Sequence, residues 1–552
     1  MELSRILDER MPPLGWFLQR HGRSASVTYG AGVEWINGRL VEGVWSESFS
    51  EGHPEQSLNL FGSCVCFTGN TILICACTSP LEPIYFCQQS GAFYASNSQV
   101  LLLAGLGKRL VPGCTEYAAL NQLRTRGLEQ VIVQVPVSGG TINRFIHHNL
   151  LINESDYEVV EKKRPNAFRS YTHYKEYLQA SLHGCIDNAR YQSRHTRYEL
   201  VTTQSRGYDS TAINALLNKK YPLRAFTCRD SKPIGEVYRS GKKRVGPSDE
   251  GSEIASQLGF ECEVIERSDF ERYPELEIFM NAAVHNNEDR NVLPIFAKVD
   301  KPSVLLTGNA GELWYTWRGM EHAHYEGDAD NLLKKGDLGG FGMSEVRLWH
   351  NIVHITVPLI GAVQRLSVHD ITESEEMSPW RLNNDYDRPI PRRIAEEAGV
   401  SRENFGQSKM GSVVMMPTPE LPLDPAYRKA FLKDLVARKL LHPLQRPFLG
   451  WVQRYNNWIL WNNPNRYFSD HRRYRLIYYC SRLLEKVTGK RYRFRPVLEH
   501  LTAELYRYSC NELAARYSWL EKKVEDNSSA LAVADTTDKH PHEHNSAGEQ
   551  LG

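Results

Sequence analysis

No run of apolar residues in this 552-residue chain approaches the roughly 20 needed to cross a bilayer as a helix. The first residues also lack the short apolar core of a signal peptide, so a cytoplasmic protein is expected. A net field is missing too. Lys and Arg (66) balance Asp and Glu (65) to a formal charge of +1, which gives no global attraction for nucleic acid. The 11 cysteines include two Cys-x-Cys pairs, Cys64/Cys66 and Cys75/Cys77, but no Cys-x-x-Cys turn. Zinc is therefore not expected; alternation on neighbouring strands puts small apolar side chains into a core instead. An odd total, mostly in strand-like stretches, suits reduced thiols. No cysteine precedes Cys64, which argues against a hydrolase with an amino-terminal cysteine nucleophile unless processing exposes Cys64.

What is present begins as β structure. Cys64–Phe67 and Ile72–Cys77 read as paired strands around the turn Thr68-Gly69-Asn70-Thr71, and Pro83–Cys87 and Gly91–Ser96 continue the pattern. The charged stretch Glu154–Pro165 reads as a linker. Beyond it, apolar Leu200-Val201-Thr202-Thr203 runs into the polar loop Gln204-Ser205-Arg206-Gly207. A helical pattern (Ala212, Ile213, Leu216, Leu217) follows, with Asp209 and Ser210 at its expected N-cap. A strand, a tight loop and a helix N-terminus together make an anion site, because unpaired N–H groups and the helix dipole converge there. The same pattern also fits an ordinary strand–turn–helix connection with a good cap.

Further strands are expected at Leu223–Cys228, Glu261–Ile265 and Ser303–Thr307. Between the first two, a helix opens at Pro247–Glu250, carries Ile254, Ala255 and Leu258, and ends at Gly259. Strands alternating with helices predict a parallel sheet, with ligands at the carboxyl ends of its strands. Gly308-Asn309-Ala310-Gly311-Glu312 leaves the last of these strands and brings a second acid to that end.

Here the chain resembles the asparagine synthetase-like ATP pyrophosphatases, a group that includes β-lactam synthetase-like enzymes. Ser205–Ser210 is similar to their Ser-Gly-Gly-x-Asp-Ser loop, and Ser248-Asp249-Glu250 with its helix to their next segment. Thr307–Leu313 resembles a later acidic loop, one residue short and with one acid where the family has two. Glu375–Trp380, Pro391–Ala398 and Ser408-Lys409-Met410-Gly411 follow the family's C-terminal order, and the first strands resemble its glutaminase domain, without the nucleophile.

The resemblance implies an α/β chain in four parts. These are a degenerate Ntn-hydrolase-like α+β domain (1–160), a parallel-sheet ATP-pyrophosphatase domain (165–425), a helical extension (426–524) and a disordered tail (525–552). It implies ATP and Mg2+ as cofactors. Ser205, Arg206, Gly207, Asp209, Ser210, Thr227 and Gly308 would hold ATP or pyrophosphate, Asp209 and Glu312 the metal, and Glu312 and Lys409 would serve catalysis. The activity implied is adenylation of a carboxylate followed by transfer to an amine, without glutamine hydrolysis. The carboxylate (small molecule, peptide or glycan) and the amine donor are not written in the motifs.

Several positions read two ways. Arg206 stands where the family has glycine, and either obstructs the cradle or adds a bidentate phosphate contact. Glu312 and Lys409 also read as surface charges, and Arg392 and Arg393 read as partners of Glu396 and Glu397 at helix spacing. A catalytically silent scaffold subunit is the alternative for the whole chain. Residues 426–524, rich in Arg, Tyr and Trp, read either as packed helices with an exposed basic face or as a peripheral membrane surface.

Overall fold

The computed structural model describes the chain apart from residues 155, 218, 230–231, 234–248, 267–268, 285–288, 317–332, 337, 385, 408–409, 412–420, 423, 444–445, 448, 450–474, 490–500 and 525–552. The chain is mixed α/β. Its first part folds as two sheets face to face. One contains β1 (Glu2–Leu7), β2 (Trp16–His21), β3 (Ser24–Tyr29), β8 (Ile84–Gln89), β9 (Ala92–Ser96), β10 (Ile132–Val137) and β11 (Gly140–Phe145), in the order β1-β3-β2-β9-β8-β11-β10. The other contains β4 (Glu34–Ile36), β5 (Arg39–Trp45), β6 (Leu60–Thr68), β7 (Thr71–Cys75), β12 (Asn149–Ile152) and β13 (Tyr157–Val160), in the order β13-β12-β7-β6-β5-β4.

Alternation sends the buried side chains of one strand into two different layers. Trp16 and Leu18 point between the sheets with Val65, Ile72 and Ile74, whereas Phe17, Tyr85 and Val135 face the helical layer outside. That layer holds α1 (Gln99–Gly105) and α2 (Glu116–Thr125). On the far side α3 (Tyr171–Ala189) lies against β5. The predicted hairpin is present, with Thr68 opposite Thr71 and Cys64 opposite Cys75. Cys64, Cys66 and Cys75 pack with Val41, Trp45 and Leu60. The stretch expected as a linker is in part structured: Tyr157–Val160 is an edge strand paired to β12, because Tyr157 packs against the inter-sheet core.

The second sheet system is entirely parallel. Strands β14 (Glu199–Thr203), β15 (Arg224–Arg229), β17 (Cys262–Glu266), β18 (Ser303–Thr307) and β19 (Ile352–Thr356) lie in the order β17-β15-β14-β18-β19. A two-residue pair, β16 (Lys232–Pro233) with β20 (Met410–Gly411), stands apart. The order of strand addition reverses at β14, with β15 and β17 on one side and β18 and β19 on the other, which opens a crevice at the carboxyl ends of β14 and β18. The helix after β14, α4 (Tyr208–Leu216), begins there.

Within the expected extension, the helix Leu501–Arg516 packs closely on the rest of the chain. It lies on the Glu277–Ala283 helix and on α1, and one apolar cluster joins it to both sheet systems. Tyr506, Tyr508 and Arg507 are buried, Arg507 paired with Glu504 and Asp434, whereas Arg516 at its end is exposed. The helix Arg475–Thr488 does carry exposed Leu483, Leu484 and Val487. Trp451, Trp458 and Trp461, and the tail from 525, lie outside the described residues. No helix among the described residues is long and apolar enough to cross a membrane.

Buried charges fasten the two sheet systems together. Arg347 donates to Glu42 Oε1 at 2.5 Å and lies 3.1 Å from Glu82 Oε2; His354 Nδ1 is 3.8 Å from the other Glu82 oxygen. Burial pushes the Glu82 carboxyl up to about 7 against the pull of Arg347, and pushes His354 down to about 3. Between the ordinary carboxylate range and pH 7 the folded state thus holds a proton on Glu82 that the unfolded chain releases. That contribution to stability is complete at low pH and is lost as pH rises through 7. Glu82→Gln abolishes the titration, so its stability relative to the parent should rise by about 3 kcal/mol between pH 4 and pH 8. Chemical denaturation of both proteins across that range measures it; a flat difference contradicts the assignment.

Candidate nucleotide site

The loop after β14 is shaped by its own buried polar side chains. Gln204 Nε2 donates to the Ser205 carbonyl (2.6 Å) and to Thr211 Oγ1 (3.1 Å), while Asn214 ties Gln204 to β14. Ser210 Oγ accepts the Ser205 N–H at 3.0 Å and lies 2.9 Å from Ser205 Oγ, which accepts the Gly207 N–H at 3.0 Å. The helix cap is Gly207, not Asp209 or Ser210. Those two fall in the first turn, because the Ser205–Ser210 contact closes the loop two residues early.

Arg206 neither obstructs this loop nor lines the crevice. It is absent from the positive-φ residues, so the missing glycine costs nothing. Its N–H donates to Asp249 Oδ1 (3.1 Å) and its side chain turns away to Glu253 at 2.8 Å. Asp249 precedes the expected helix, observed as Ser252–Leu258 with Gly259 at its end; Ser248 lies outside the described residues.

The loop after β18 packs directly on α4. A Cβ on Gly308 would stand 2.6 Å from Asp209 Cβ, and one on Gly311 2.2 Å from Asp209 Cγ. Any larger residue at either position would displace that carboxylate. The cavity between the loops has a volume of about 210 Å³. Ser205, Gly207, Asp209, Ser210, Thr227, Gly308 and Glu312 all line it, so the structure brings together every described site residue expected from sequence except Arg206. Thr227 supports a wall by accepting the Gly251 N–H (2.8 Å). Lys409 lies outside the described residues.

Two cations in the cavity were not foreseen. Arg388 donates to Asp209 Oδ1 and lies over the Tyr315 ring, 4.0 Å from its centroid. Burial lowers its basicity, but the Asp209 charge and hydrogen bond together with Tyr315 and Tyr386 more than offset this and hold it well above the ordinary arginine value. Lys335 has only 2 % of its side chain exposed and lies 3.5 Å from Glu312 Oε1. Asp249, Asp289 and Tyr386 complete the polar wall, with the Asp289 carboxylate accepting the Gly340 and Gly342 N–H groups.

Arg392 and Arg393 both pair at helix spacing as expected, with Glu396 and Glu397. Arg392 is fully buried, however, and also donates to the Tyr208 hydroxyl (2.5 Å) and the Gly406 carbonyl (3.2 Å). It thereby holds the first residue of α4. Arg392→Ala should destabilise the fold by about 2–4 kcal/mol by stranding these buried partners, measured by chemical denaturation.

The donor set suits a magnesium–triphosphate. Serine hydroxyls and a helix N-terminus face it, two cations can balance phosphate charge, and Asp209 and Glu312 offer hard oxygens to a small divalent ion. Among the described residues no group of three or more His, Cys, Asp or Glu is arranged to hold a metal by itself. Such an ion would complete its shell with water and phosphate oxygens. Compared with known proteins, the chain matches no family model and no curated protein.

Proposed function

We propose that the chain is an ATP-dependent, amide-forming ligase. A carboxylate oxygen attacks the α-phosphorus of ATP, the bond to the β-phosphate oxygen breaks, and acyl-adenylate and pyrophosphate result. An amine nitrogen then attacks the acyl carbon, loses a proton and expels AMP. The observation that carries this reading is the meeting of the Ser205–Ser210 loop with the Gly308–Glu312 loop at the reversal point of a parallel sheet, with Asp209 between them. The similarity of both loops to those of asparagine synthetase-like ATP pyrophosphatases supports it.

In this reading Ser205, Ser210 and the start of α4 hold the pyrophosphate moiety, and Lys335 and Arg388 offset charge that grows there during α-phosphorus attack. Asp209 and Glu312 would hold Mg2+, which supplies Lewis-acid polarisation of the phosphates. Thr227 and Gly308 form the walls beside the nucleotide, and the substrate carboxylate enters from the open side of the crevice. The degenerate glutaminase reading of the first domain means that the amine arrives from another source.

A silent scaffold role is favoured by one observation, the Asp209–Arg388 ion pair, which occupies an oxygen that a metal would need. Product analysis separates the two readings. With ATP labelled separately at the α- and γ-phosphates, the ligase yields labelled AMP and pyrophosphate; ADP with orthophosphate, or no turnover with any carboxylate and amine, rejects it.

A further inference from the structure

The layer between the seven-stranded sheet and the helices α1, α2 and Leu501–Arg516 contains two buried arginines, Arg144 on β11 and Arg124 on α2, 1 % and 3 % exposed. Arg144 shares its strand face with Ile142, which packs in this layer, and stands opposite Tyr85 in the β8–β11 register. Its Nε, Nη1 and Nη2 are all buried, and none has a hydrogen-bond partner. Among the described residues it is the only arginine of which that is true. The ionisable groups that act on it are Arg124, Tyr85 and Tyr506: a second cation and two phenols, with no carboxylate. Burial lowers its basicity to about 10, with Arg124 pulling the same way, so it stays charged at neutral pH.

Arg124 is no better compensated. It donates to Asn121 Oδ1 at 3.3 Å and to the Tyr506 hydroxyl at 3.4 Å, both neutral acceptors. Tyr506 in turn donates to Gln99 Oε1 at 2.7 Å, and the buried Gln99 Nε2 has no partner. Glu345, which acts on Tyr85 in the same layer, has its oxygens engaged by Ser98 Oγ (2.7 Å) and the Gln99 N–H (3.0 Å). A buried cation without counter-charge is among the most costly arrangements in a protein interior, and two side by side add their repulsion. The Arg144 guanidinium and Gln99 Nε2 are donors without an acceptor, and the positive charge they sit in favours a negative one.

We propose that Arg144, Arg124 and the Gln99 side-chain amide bind a small inorganic monoanion of chloride size inside the amino-terminal unit. Enclosure sets the size, since Arg144, Arg124 and the Tyr85 and Tyr506 rings that act on Arg144 are all buried. Enclosure also favours an ion that sheds its water at low cost, which a halide does and sulfate or phosphate does not. The site is independent of the nucleotide cavity and of what that cavity does.

The test uses the full-length protein in sodium gluconate, titrated with sodium bromide at constant ionic strength while the thermal midpoint is followed. The midpoint should rise by about 2–4 °C and saturate as a single site, and Arg144→Met should show no such rise. A rise without saturation, an equal rise in Arg144→Met, no rise at all, or saturation by sulfate rather than bromide overturns the proposal. If Arg144→Met does not fold, wild-type crystals grown in bromide decide. An anomalous peak within hydrogen-bond distance of the Arg144 guanidinium upholds the site; its absence overturns it.

Discussion

Asp209→Asn should cut carboxylate-dependent pyrophosphate release about 10³-fold, with the fold kept but less stable because the buried Arg388 loses its carboxylate partner. Asparagine keeps the shape of the side chain that packs on Gly308 and Gly311, where an added Cβ would stand only 2.6 and 2.2 Å from Asp209, so the loops have no reason to move. What is lost is one negative charge on the cavity wall. In the proposed reaction that charge holds the divalent ion against the phosphates. The loss should therefore appear as a raised magnesium requirement as well as a lower limiting rate. Equal turnover in parent and variant over a magnesium titration would remove Asp209 from the account.

Arg388→Met should produce a different split. The guanidinium now competes with any cation for Asp209, from a position with 2 % of its side chain exposed. Removing it frees that carboxylate, so half-saturation by magnesium should move to a lower concentration. The limiting rate should nevertheless fall about 10²-fold, because a cation fixed in the cavity no longer meets the charge that develops on the phosphates. Stability should drop by about 2 kcal/mol, since Asp209 is left partly buried without its partner. Adding Asp209→Asn to this variant should cost far less than the two losses combined, and a double-mutant cycle measures that coupling. Strict additivity would mean that the ion pair is incidental.

How much of this was legible in the sequence depended on whether the signal was local. Leu200–Ser210 announced its strand, loop and helix because an apolar β-branched run, a polar break and a 3.6-residue period follow each other directly, and the structure has all three. Ser303–Thr307 was as clear, and Gly308 and Glu312 reached the cavity as expected. The helix cap was misread because Ser210, expected with Asp209 at the cap, bonds back to Ser205 and lies inside the first turn. Arg206 was placed on the phosphate because it sits in the motif. Its partner Glu253 is 47 residues away and invisible from the loop.

Arg388 and Lys335 were missed for the same reason. They come 179 and 23 residues after their acids, from segments with no periodic pattern, and only the tertiary fold turns them inward. Arg392 shows the limit from the other side. Its helix-spaced partner Glu396 was foreseen, but burial against Tyr208 and Gly406 was not. For residues 426–524 the sequence left packed helices and a peripheral surface both open; Tyr506 and Arg507 in the helix Leu501–Arg516 are packed and paired internally.

The central claim is that this cavity activates a carboxylate at the α-phosphate of ATP, and ATP–pyrophosphate exchange tests it most directly. The assay would run with magnesium against pooled amino acids, uronic acids and short peptides, with Asp209→Ala as control. The account predicts exchange that depends on one class of carboxylate and disappears in Asp209→Ala. Absence of exchange with every pool, together with no ATP binding by calorimetry, would contradict it.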